Sequence, residues 1–548
     1  MIQEKISLKW NSIQYDQKTL WQNIDDILQA RFQNNELKKS LTDLYDPYLL
    51  KDMDKAVERI KQAKDKNERV MIFGDYDVDW VTSTAILMHF LKKIWLQVSY
   101  RLPNRMTDWY GMKNYFMDEI AAVWVSLVIT VDCWTRDEEV VKYAKKLWID
   151  TIITDHHTIP EKIPDEAVAL INPKRMDGEY PFQFLSGAGV ALKLMIALSQ
   201  EFFSKEESFQ YLSETIDIAA LWTVADCMPL IDENRIIVVE WLKQIKNSRS
   251  RWMKKLIEDK IQDDLDADIF SFLIWPKLNA AGRLDSATKA VNLILNNSDK
   301  IDEIILDIEN INNKRKELTK IFTLDAMDKI DTKNNVLFYQ SPLIDHGIIW
   351  IVAWRLTEKF HKPSIVLKDE WEKLVASCRS PEYFSMVEYL EKYTTYFLHF
   401  GWHKQAAWFS ILKNKFEDFR QAFTQELNSL DFSNEKKVIF VDKILAVEQF
   451  WFHLSDTLKK FKPYGIGNIK PIFMFQDFDI EKVEYIGKTF EHITLKNRYW
   501  LTLLWFWWWE YFSQLQWVQK VDILFDLMED MWMWKRQLKA KIIDICLL

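Results

Sequence analysis

Aspartate side chains crowd the end of one strongly apolar stretch of this sequence. The run Val70–Phe73 leads into Asp75, Asp77 and Asp79, which stand at alternate positions, and an apolar helical pattern follows. Carboxylates placed this close repel one another unless a cation binds them, and hard oxygen ligands suit Mn²⁺ or Mg²⁺. The stretch therefore predicts one part of a divalent-metal site at the end of a buried strand.

Further acids and two imidazoles follow other apolar runs. They are Asp132, the triplet Asp155, His156 and His157, and Asp226. Together with the first stretch they suit two divalent ions, which can promote in-line displacement at phosphorus. We predict that His156 binds metal, that Asp155 orients an imidazole, and that His157 lies near the scissile phosphate, with Asp132 also catalytic. Solvated turn acids are the alternative, which explains one such residue more easily than the whole set.

Strand-like and helix-like patterns alternate around these residues. Runs rich in β-branched residues at 70–73, 98–102, 125–131 and 151–154 are separated by helical patterns. This alternation predicts an α/β fold with a doubly wound parallel sheet. Because such sheets bind ligands beyond the carboxyl ends of their strands, the acids are predicted to meet at one sheet edge.

The second half of the chain has a different texture. A charged helical stretch near 300–329 is followed by a second, smaller α/β pattern, and short β-like runs after Pro471 are typical of a C-terminal OB-type β-barrel. We predict five parts: an N-terminal helical segment 1–45, the acid-bearing domain 46–298, a long bridging helix 299–333, a substrate-binding domain 334–430 and the OB-type domain with its linker 431–548.

Two groups of polar residues have the chemistry of phosphate binding. Asn279 and Arg283 lie four residues apart, and an arginine fork suits phosphate oxygens. Ser377, Arg379 and His403 stand beside small residues that let backbone amides approach an anion. A helix end with an exposed arginine is the alternative for the first group, and ordinary loops are the alternative for the second.

Composition indicates an ordinary globular protein of about three domains. The net charge is −9, which argues against a uniformly basic nucleic-acid coat. The four cysteines have neither disulfide nor metal spacing, and the N-terminus lacks a signal-peptide pattern. No uncharged apolar run reaches about 18 residues. We therefore expect a cytoplasmic protein without membrane contact.

Glycine and tryptophan are both present in unusual numbers. The 11 glycines and 26 tryptophans together make 37 of 548 residues, close to the ordinary glycine share of about 7%. Trp80 stands where a tight turn calls for glycine. We hypothesise that the source reads UGA as glycine, so that many tryptophans stand for glycine. The alternative is a tryptophan-rich surface that stacks bases, which would include Trp507–Trp509.

The motif set resembles the DHH phosphoesterases, and among them the single-stranded-DNA-specific exonucleases. The resemblance covers about residue 45 to the C-terminus. Its first four motifs are Gly74–Trp80, Val131–Cys133, Asp155–His157 and Thr223–Asp226. The accompanying stretches are Leu102–Arg105 with Tyr110 and Gly111, Leu278–Arg283, Ser377–Ser380, Gly401–His403 and Pro463–Asn468. The departures are Trp80, Trp134, Trp222, Trp275, Trp402, Trp408 and Cys378, which stand where the family has glycine.

The resemblance implies 5′→3′ hydrolysis of single-stranded DNA to mononucleotides with Mn²⁺ or Mg²⁺, in recombination and repair. It implies metal ligands at Asp77, Asp79, Asp132, His156 and Asp226, with Asp75 adjoining. It also implies phosphate contacts at Arg283, Ser377, Arg379 and His403. The expected partners are single-stranded DNA, a single-strand-binding protein and a RecQ-type helicase. The protein itself is expected to be a monomer. The alternatives are a phosphodiesterase for short oligoribonucleotides or cyclic dinucleotides, and a catalytically silent single-strand-binding scaffold.

Overall fold

Parallel strand–helix units form the first half of the chain. The computed structural model describes residues 2–6, 12–16, 18, 21–32, 36–74, 78–101, 113–133, 135–245, 248, 250–258, 265–284, 288–295, 300–403, 405–432, 438–486, 492–498, 501–506, 511–532 and 535–547. Contacts divide the chain into two units, which are Met1–Pro276 with Ala290–Ile301 and Lys437–Leu548, and Lys277–Lys289 with Asp302–Lys436.

The N-terminal part contains a hairpin and short helices. Its elements are β1 (Ile2–Ile6), β2 (Ser12–Asp16), α1 (Ile24–Gln29) and 3-10 turns at Glu36–Lys38, Leu41–Asp43 and Pro47–Leu49. The helical prediction for residues 1–45 is therefore wrong for the first part of the segment. Ile13 and Tyr15 alternate with polar residues, as in a half-buried strand. Tyr15 is buried against Ile439 and Val441, and this distant contact favours the hairpin.

A five-stranded parallel sheet follows, in the order β4-β3-β5-β6-β7. The elements are α2 (Met53–Asp65), β3 (Arg69–Gly74), α3 (Val78–Lys93), β4 (Gln97–Arg101), α4 (Asn114–Ala122), β5 (Val125–Val131), α5 (Glu138–Lys146), β6 (Asp150–Thr154) and β7 (Ala169–Ile171). The central strands β3, β5 and β6 are buried along nearly their whole length. This burial is typical of a parallel sheet covered on both faces, and it confirms the predicted fold class.

Helices follow this sheet along the chain. They are α6 (Gly187–Phe202), α7 (Lys205–Ala225), α8 (Asp232–Gln244), α9 (Arg251–Ile257), a π-helix at Phe270–Ile274, α10 (Trp275–Leu284) and α11 (Thr288–Leu295). Ser186 caps α6 by accepting from the Gly189 N–H. Ser204 and Glu207 form a capping box that begins α7. These caps fix the starts of the two helices that approach the acidic sheet edge.

The second unit is a smaller α/β domain entered by a long helix. Its elements are α12 (Ile301–Lys329), β8 (Leu337–Ser341), α13 (Ile349–Phe360), β9 (Ser364–Asp369), β10 (Lys373–Arg379), α14 (Met386–Leu390), a 3-10 helix at Glu391–Tyr396, β11 (Phe397–His403), β12 (Ala406–Leu412) and α15 (Lys413–Asn428). The sheet order is β11-β12-β10-β9-β8. The long helix α12 lies within the stretch predicted to be helical.

The C-terminal domain is built from β-strands, as predicted. Its elements are β13 (Val438–Phe440), β14 (Lys443–Leu445), a 3-10 turn at Val447–Gln449, α16 (Phe452–Lys459), β15 (Phe473–Asp479), β16 (Lys482–Ile486), β17 (His492–Lys496), β18 (Thr502–Phe506), α17 (Phe512–Leu515), β19 (Lys520–Trp532) and β20 (Lys535–Leu547). Seven strands form one sheet in the order β14-β15-β19-β20-β18-β17-β16, around a core rich in phenylalanine. Within the described residues, no helix combines the length and apolar character needed to cross a membrane.

Tryptophans end three helices of the first domain in an uncommon backbone conformation. Trp95, Trp124 and Trp148 follow α3, α4 and α5 with φ of 63°, 61° and 63°. At the first and third ends, the N–H of the next residue donates to the carbonyl five residues earlier, as in a Schellman cap. Asn67 ends α2 with the same bonding at φ 52°. Glycine is the usual residue at such positions, because it has no Cβ.

Candidate metal centre

Asp132 occupies a constrained position at the end of β5. Its N–H donates to the carbonyl of Thr154 at 2.8 Å, so the parallel pairing with β6 continues past the strand end. The backbone then turns with φ 59° at Asp132. A short polar side chain tolerates this left-handed conformation better than a bulky one. The turn holds the buried Asp132 carboxylate at the sheet edge.

The two histidines follow the neighbouring strand β6. The His156 Nε2 lies 3.0 Å from Asp132 Oδ1 and 3.6 Å from Asp226 Oδ2. The His157 Nδ1 lies 3.9 Å from the same Asp132 oxygen. The structure thus brings together four predicted site residues from three separate elements. Asp226 was predicted to follow a strand, but it caps α7 instead, so that placement is wrong.

Asp155 organises this group from behind. Its Oδ1 accepts from the His156 and His157 backbone N–H groups, and lies 2.7 Å from His157 Nδ1. Its Oδ2 accepts from the N–H and the hydroxyl of Thr135, at 3.1 and 2.6 Å. A fully buried carboxylate with this many donors fixes the orientation of the His157 ring. The orienting role of Asp155 in the reaction remains a prediction.

The electrostatics favour positive charge at this edge. Burial disfavours the protonated, charged form of the His157 imidazole. The hydrogen bond and charge of Asp155 outweigh burial and raise the pKa of His157 to about 9. Burial likewise opposes a charge on His156, but Asp132 and Asp226 raise the pKa of His156. Burial would raise the pKa of Asp155, but hydrogen bonds from His157 and Thr135 lower it. At both His156 and His157, the effect of the neighbouring carboxylates on the imidazole pKa is larger than the effect of burial. The site therefore favours a bound cation.

The donor set fits a divalent cation. One ligand atom from each of Asp132, His156 and His157 lies within 4.8 Å of the others. Within the described residues, the buried His156 Nδ1 has no hydrogen-bond partner. Carboxylate oxygens and imidazole nitrogens are ligands for Mn²⁺. The individual ligand assignments remain predictions.

Three residues that support the site were not predicted. Asn172 follows β7, a fourth strand end, and its Nδ2 donates to the His157 carbonyl at 3.0 Å. A Cβ on Gly187 would lie 2.5 Å from Asp132 Oδ1, so only glycine fits where α6 begins. Thr135 holds Asp155. The apolar run before Asn172 was a signal for that residue, whereas the need for Gly187 depends on contact between distant segments.

The acids after β3 are described only in part. Asp75 and Asp77 lie outside the described residues. Asp79 lies in the first turn of α3, and its side chain is outside the described part of the chain. The three metal-ligand predictions for these residues therefore remain predictions. Leu102–Arg105, Trp134 and Trp507–Trp509 also fall outside the described residues.

The second unit gathers three predicted phosphate-binding residues on neighbouring strands. The strands β10 and β11 both pair with β12. Ser377 and Gly401 are both paired with Trp408. Arg379 and His403 are both paired with Ala406. Directly paired residues and residues two apart share a face of a sheet. These positions therefore lie on one face. A Cβ on Gly401 would lie 2.6 Å from the indole Nε1 of Trp408, so this tryptophan leaves room only for glycine.

Of the three predicted phosphate-binding residues on this face, Ser377 and Arg379 have side chains within the described part of the chain. Ser377 is buried, and the Arg379 guanidinium lies 5.6 Å from the Trp350 ring centre. Burial lowers the pKa of Arg379. The side chain of His403 is outside the described part of the chain. All three roles remain predictions.

Asn279 and Arg283 share helix α10, one turn apart. Asn279 is buried, and its Nδ2 has no hydrogen-bond partner within the described residues. The Arg283 side chain is outside the described part. Near the start of this helix, Trp275 packs on the buried Trp222 with ring centres 4.6 Å apart. Both tryptophans are among the positions for which glycine recoding is hypothesised, so this aromatic contact belongs to the sequence as written.

Comparisons with known proteins agree with this architecture. Residues 69–223 match the DHH family N-terminal domain, and residues 441–544 match the RecJ OB domain. The chain is 33% identical over 466 residues to the single-stranded-DNA-specific exonuclease RecJ of Dickeya dadantii, covering 80% of this chain and 81% of that protein. It is also 33% identical over 466 residues to RecJ of Bacillus subtilis, covering 83% of this chain but 58% of that longer protein.

A solved structure has the same fold. It is the crystal structure of RecJ from Thermus thermophilus in complex with Mn²⁺, with a TM-score of 0.81 and 23% identity. The match covers 95% of this chain and 75% of that one. At this identity the likeness concerns the fold alone.

Proposed function

This chain belongs to the RecJ family of DHH phosphoesterases, and from that premise we propose that it is a 5′→3′ exonuclease specific for single-stranded DNA. The observation that carries the proposal is the convergence of two carboxylates on His156 at the sheet edge, where His156 Nε2 lies 3.0 Å from Asp132 Oδ1 and 3.6 Å from Asp226 Oδ2. The chain that forms this edge also contains an OB domain, a fold used to bind single strands. Processive release of mononucleotides is part of the proposal.

We propose that Asp132, His156 and Asp226, together with the acids of the Asp75–Asp79 stretch, hold Mn²⁺ or Mg²⁺. The bound ions would polarise the phosphodiester. They would also lower the pKa of a metal-bound water molecule to near neutral pH. Asp132 and His156 supply buried oxygen and nitrogen donors. Rigidity favours catalysis, because the donors need no rearrangement when charge develops on the phosphate.

His157 is placed to act on the phosphate. Its side chain is about half exposed, whereas Asp155 behind it is buried. The Nδ1–Asp155 hydrogen bond leaves Nε2 free of that contact, so this nitrogen can donate to a non-bridging or leaving oxygen. Asn172 holds the His157 carbonyl from the next strand end. We propose that Asp155 and Asn172 position His157, and that Asp155 also keeps the His157 imidazole protonated.

The face around Trp408 would bind the phosphates of the incoming strand. Ser377 and Arg379 share this face with the position of His403, so a hydroxyl, a guanidinium and an imidazole would lie on neighbouring strands. Asn279 and Arg283 would add a second phosphate contact. Arginine suits this role, because its planar fork matches two phosphate oxygens.

The test is cleavage by the full chain, made with glycine at the tryptophans that stand where the family has glycine. A long 5′-phosphorylated single strand, its duplex, a dinucleotide and a cyclic dinucleotide are supplied with Mn²⁺. We expect degradation of the single strand from its 5′ end. Asp132→Ala should lower the rate by at least about 10²–10³-fold, the scale on which single charge-stabilising groups act, while strand binding remains.

The matched control is Asp118→Ala. Asp118 is an exposed acid of the same domain and contacts only the Tyr143 hydroxyl in the described structure, at 2.7 Å. Its loss should leave cleavage unchanged. Faster turnover of the dinucleotide would favour the small-substrate phosphodiesterase. A corrected chain that binds the strand but never cleaves it would favour the silent scaffold, and an active Asp132→Ala protein would refute the site.

We propose a single-strand-binding protein and a RecQ-type helicase as partners of a monomeric enzyme. The reasoning is chemical, because an enzyme limited to single strands needs unwound and protected DNA. The compartment proposed is the cytoplasm, and the four free cysteines suit reducing conditions. Degradation of a duplex only when helicase and ATP are added would support the helicase partnership, and no stimulation would contradict it.

A further inference from the structure

A glycine-containing motif of the C-terminal domain packs directly on the loop that follows Asp226. We call residues 226–231 the Asp226 loop and residues 463–468 the glycine motif. The Leu230 N–H donates to the Ile466 carbonyl at 2.6 Å, which joins the two segments by a backbone hydrogen bond. The segments belong to one unit of the structure, although more than two hundred residues separate them in sequence.

Two glycines make this approach feasible. A Cβ on Gly465 would lie 2.7 Å from Leu230 Cδ1, a distance that carbon atoms do not tolerate. Gly467 has φ 81°, and a Cβ there would lie 3.1 Å from Ile231 Cγ2 and 3.3 Å from Pro229 Cβ. The first glycine is required by space, and the second by both space and backbone conformation. The surface of the motif is thus shaped to the loop.

The glycine motif is itself held rigidly. The buried Asn468 side chain donates to the carbonyls of Phe461 and Pro463, each at 2.8 Å. The backbones of Gly465 and Asn468 exchange two hydrogen bonds, at 3.0 and 3.1 Å. The Tyr464 N–H donates to Asp266 Oδ1 at 3.1 Å. A segment satisfied in this way can act as a fixed support.

The Asp226 loop has little freedom to move. Cys227 turns with φ 55°, and the Met228 N–H donates to the Thr223 carbonyl at 3.1 Å, which closes the end of α7. The Asn234 side chain donates to the Pro229 carbonyl at 3.1 Å. Only three residues lie between Asp226 and Leu230, whose N–H makes that hydrogen bond. Because this span is short and constrained, a shift of Leu230 would strain the backbone that carries Asp226.

We propose that the glycine motif is a positioning element for Asp226. In this way the C-terminal domain sets the geometry of the candidate metal centre at the sheet edge, called the metal edge below. The inference rests on the proposed function for the assignment of Asp226 as a metal ligand. Gly465, Gly467 and Asn468 are positioning residues, because they act through the Asp226 loop. Their effect should appear in metal affinity.

The test is direct Mn²⁺ binding to the full chain, measured by the electron paramagnetic resonance signal of free Mn²⁺. Gly465→Ala should weaken Mn²⁺ binding about tenfold or more, since supporting partners of ligands typically contribute this much. Single-strand binding without metal should stay at the wild-type level. The matched control is Gly178→Ala, where a Cβ would meet its nearest neighbour at an ordinary 3.4 Å, and it should bind Mn²⁺ normally.

A second variant separates positioning from loss of fold. Leu230→Ala removes the atom that a Cβ at 465 would strike, so the Gly465→Ala, Leu230→Ala double variant should recover most of the lost Mn²⁺ affinity relative to Gly465→Ala. Thermal unfolding without metal is recorded for each protein.

Wild-type Mn²⁺ affinity in Gly465→Ala would overturn the proposal, and so would failure of Leu230→Ala to restore it. A wild-type chain that binds Mn²⁺ and shows the Gly465→Ala defect, yet cleaves no DNA, would support positioning and contradict the proposed nuclease.

Discussion

Replacing three large aromatic residues by glycine should stabilise this protein. Trp95, Trp124 and Trp148 are 90%, 83% and 90% exposed, so their indoles bury little apolar surface. Each sits in the left-handed backbone region, which costs a residue with a Cβ about 1–2 kcal/mol. Glycine offsets part of this gain, because its freedom in the unfolded chain costs about 0.5–1 kcal/mol. The net gain is about 0.5 kcal/mol per site.

The assay is thermal and urea unfolding of the triple Trp→Gly variant. A gain of about 1–2 kcal/mol for the three sites should raise the melting temperature by about 2–4 °C per kcal/mol in a domain of this size. Trp371→Gly is the matched control. Trp371 is 92% exposed but is absent from the left-handed residues of the described chain, so its replacement should bring no gain.

Equal losses in the triple variant and the control would refute the reasoning, because backbone conformation would then have no effect. Stabilisation would be expected if these positions are glycine in the native protein. Peptide mass spectrometry of native material supplies the direct measurement of residue 80 and of the three helix ends. Tryptophan in those peptides would exclude recoding of UGA as glycine.

Two further predictions concern the metal edge and the C-terminal domain. Gly187→Ala should reduce Mn²⁺ affinity and cleavage as strongly as loss of a ligand, since a Cβ would lie 2.5 Å from Asp132 Oδ1; calorimetric titration with Mn²⁺ checks this, and normal binding would contradict it. Burial opposes the ionised Glu529, but hydrogen bonds from Arg536, Ser455 and Lys459 lower its pKa from 4.5 to about 2. Glu529→Gln should therefore lower the free energy of unfolding by about 1–2 kcal/mol above pH 4.5. This loss should become smaller as the pH falls toward 2, because protonation removes the same charge from the wild type. Urea unfolding across this pH range measures the loss, and a pH-independent loss would contradict the prediction.

Much of the fold could be predicted because its signals are local. The strands β3, β5 and β6 are continuous apolar runs, as strands buried on both faces must be. The strands of the C-terminal domain alternate or cluster apolar residues between turns, and the stretch after Pro471 does form the predicted short strands. Acids placed directly after such runs fall at one sheet edge by topology alone. That Asp132 and His156 meet at this edge could therefore be predicted before any contact was known.

The remaining features depend on contacts between distant segments. Asp226 follows a β-branched stretch that looked like a strand end, yet the stretch completes the helix α7 begun by its capping box. The hairpin near Tyr15 forms because that side chain finds apolar partners more than 400 residues later. The requirements for glycine at 187 and 465 arise from neighbours at 132 and 230. No local pattern encodes such distances.

The metal edge is built from features that do not favour folding by themselves. Asp132 holds a left-handed backbone, and buried His156 leaves Nδ1 without a partner in the described structure. Such features cost about 1–3 kcal/mol each. They are retained because the surrounding network, centred on Asp155, fixes them. A cation that binds only the folded chain would return part of this cost, since binding to the native state alone stabilises it. Stability and metal binding therefore oppose each other at this edge.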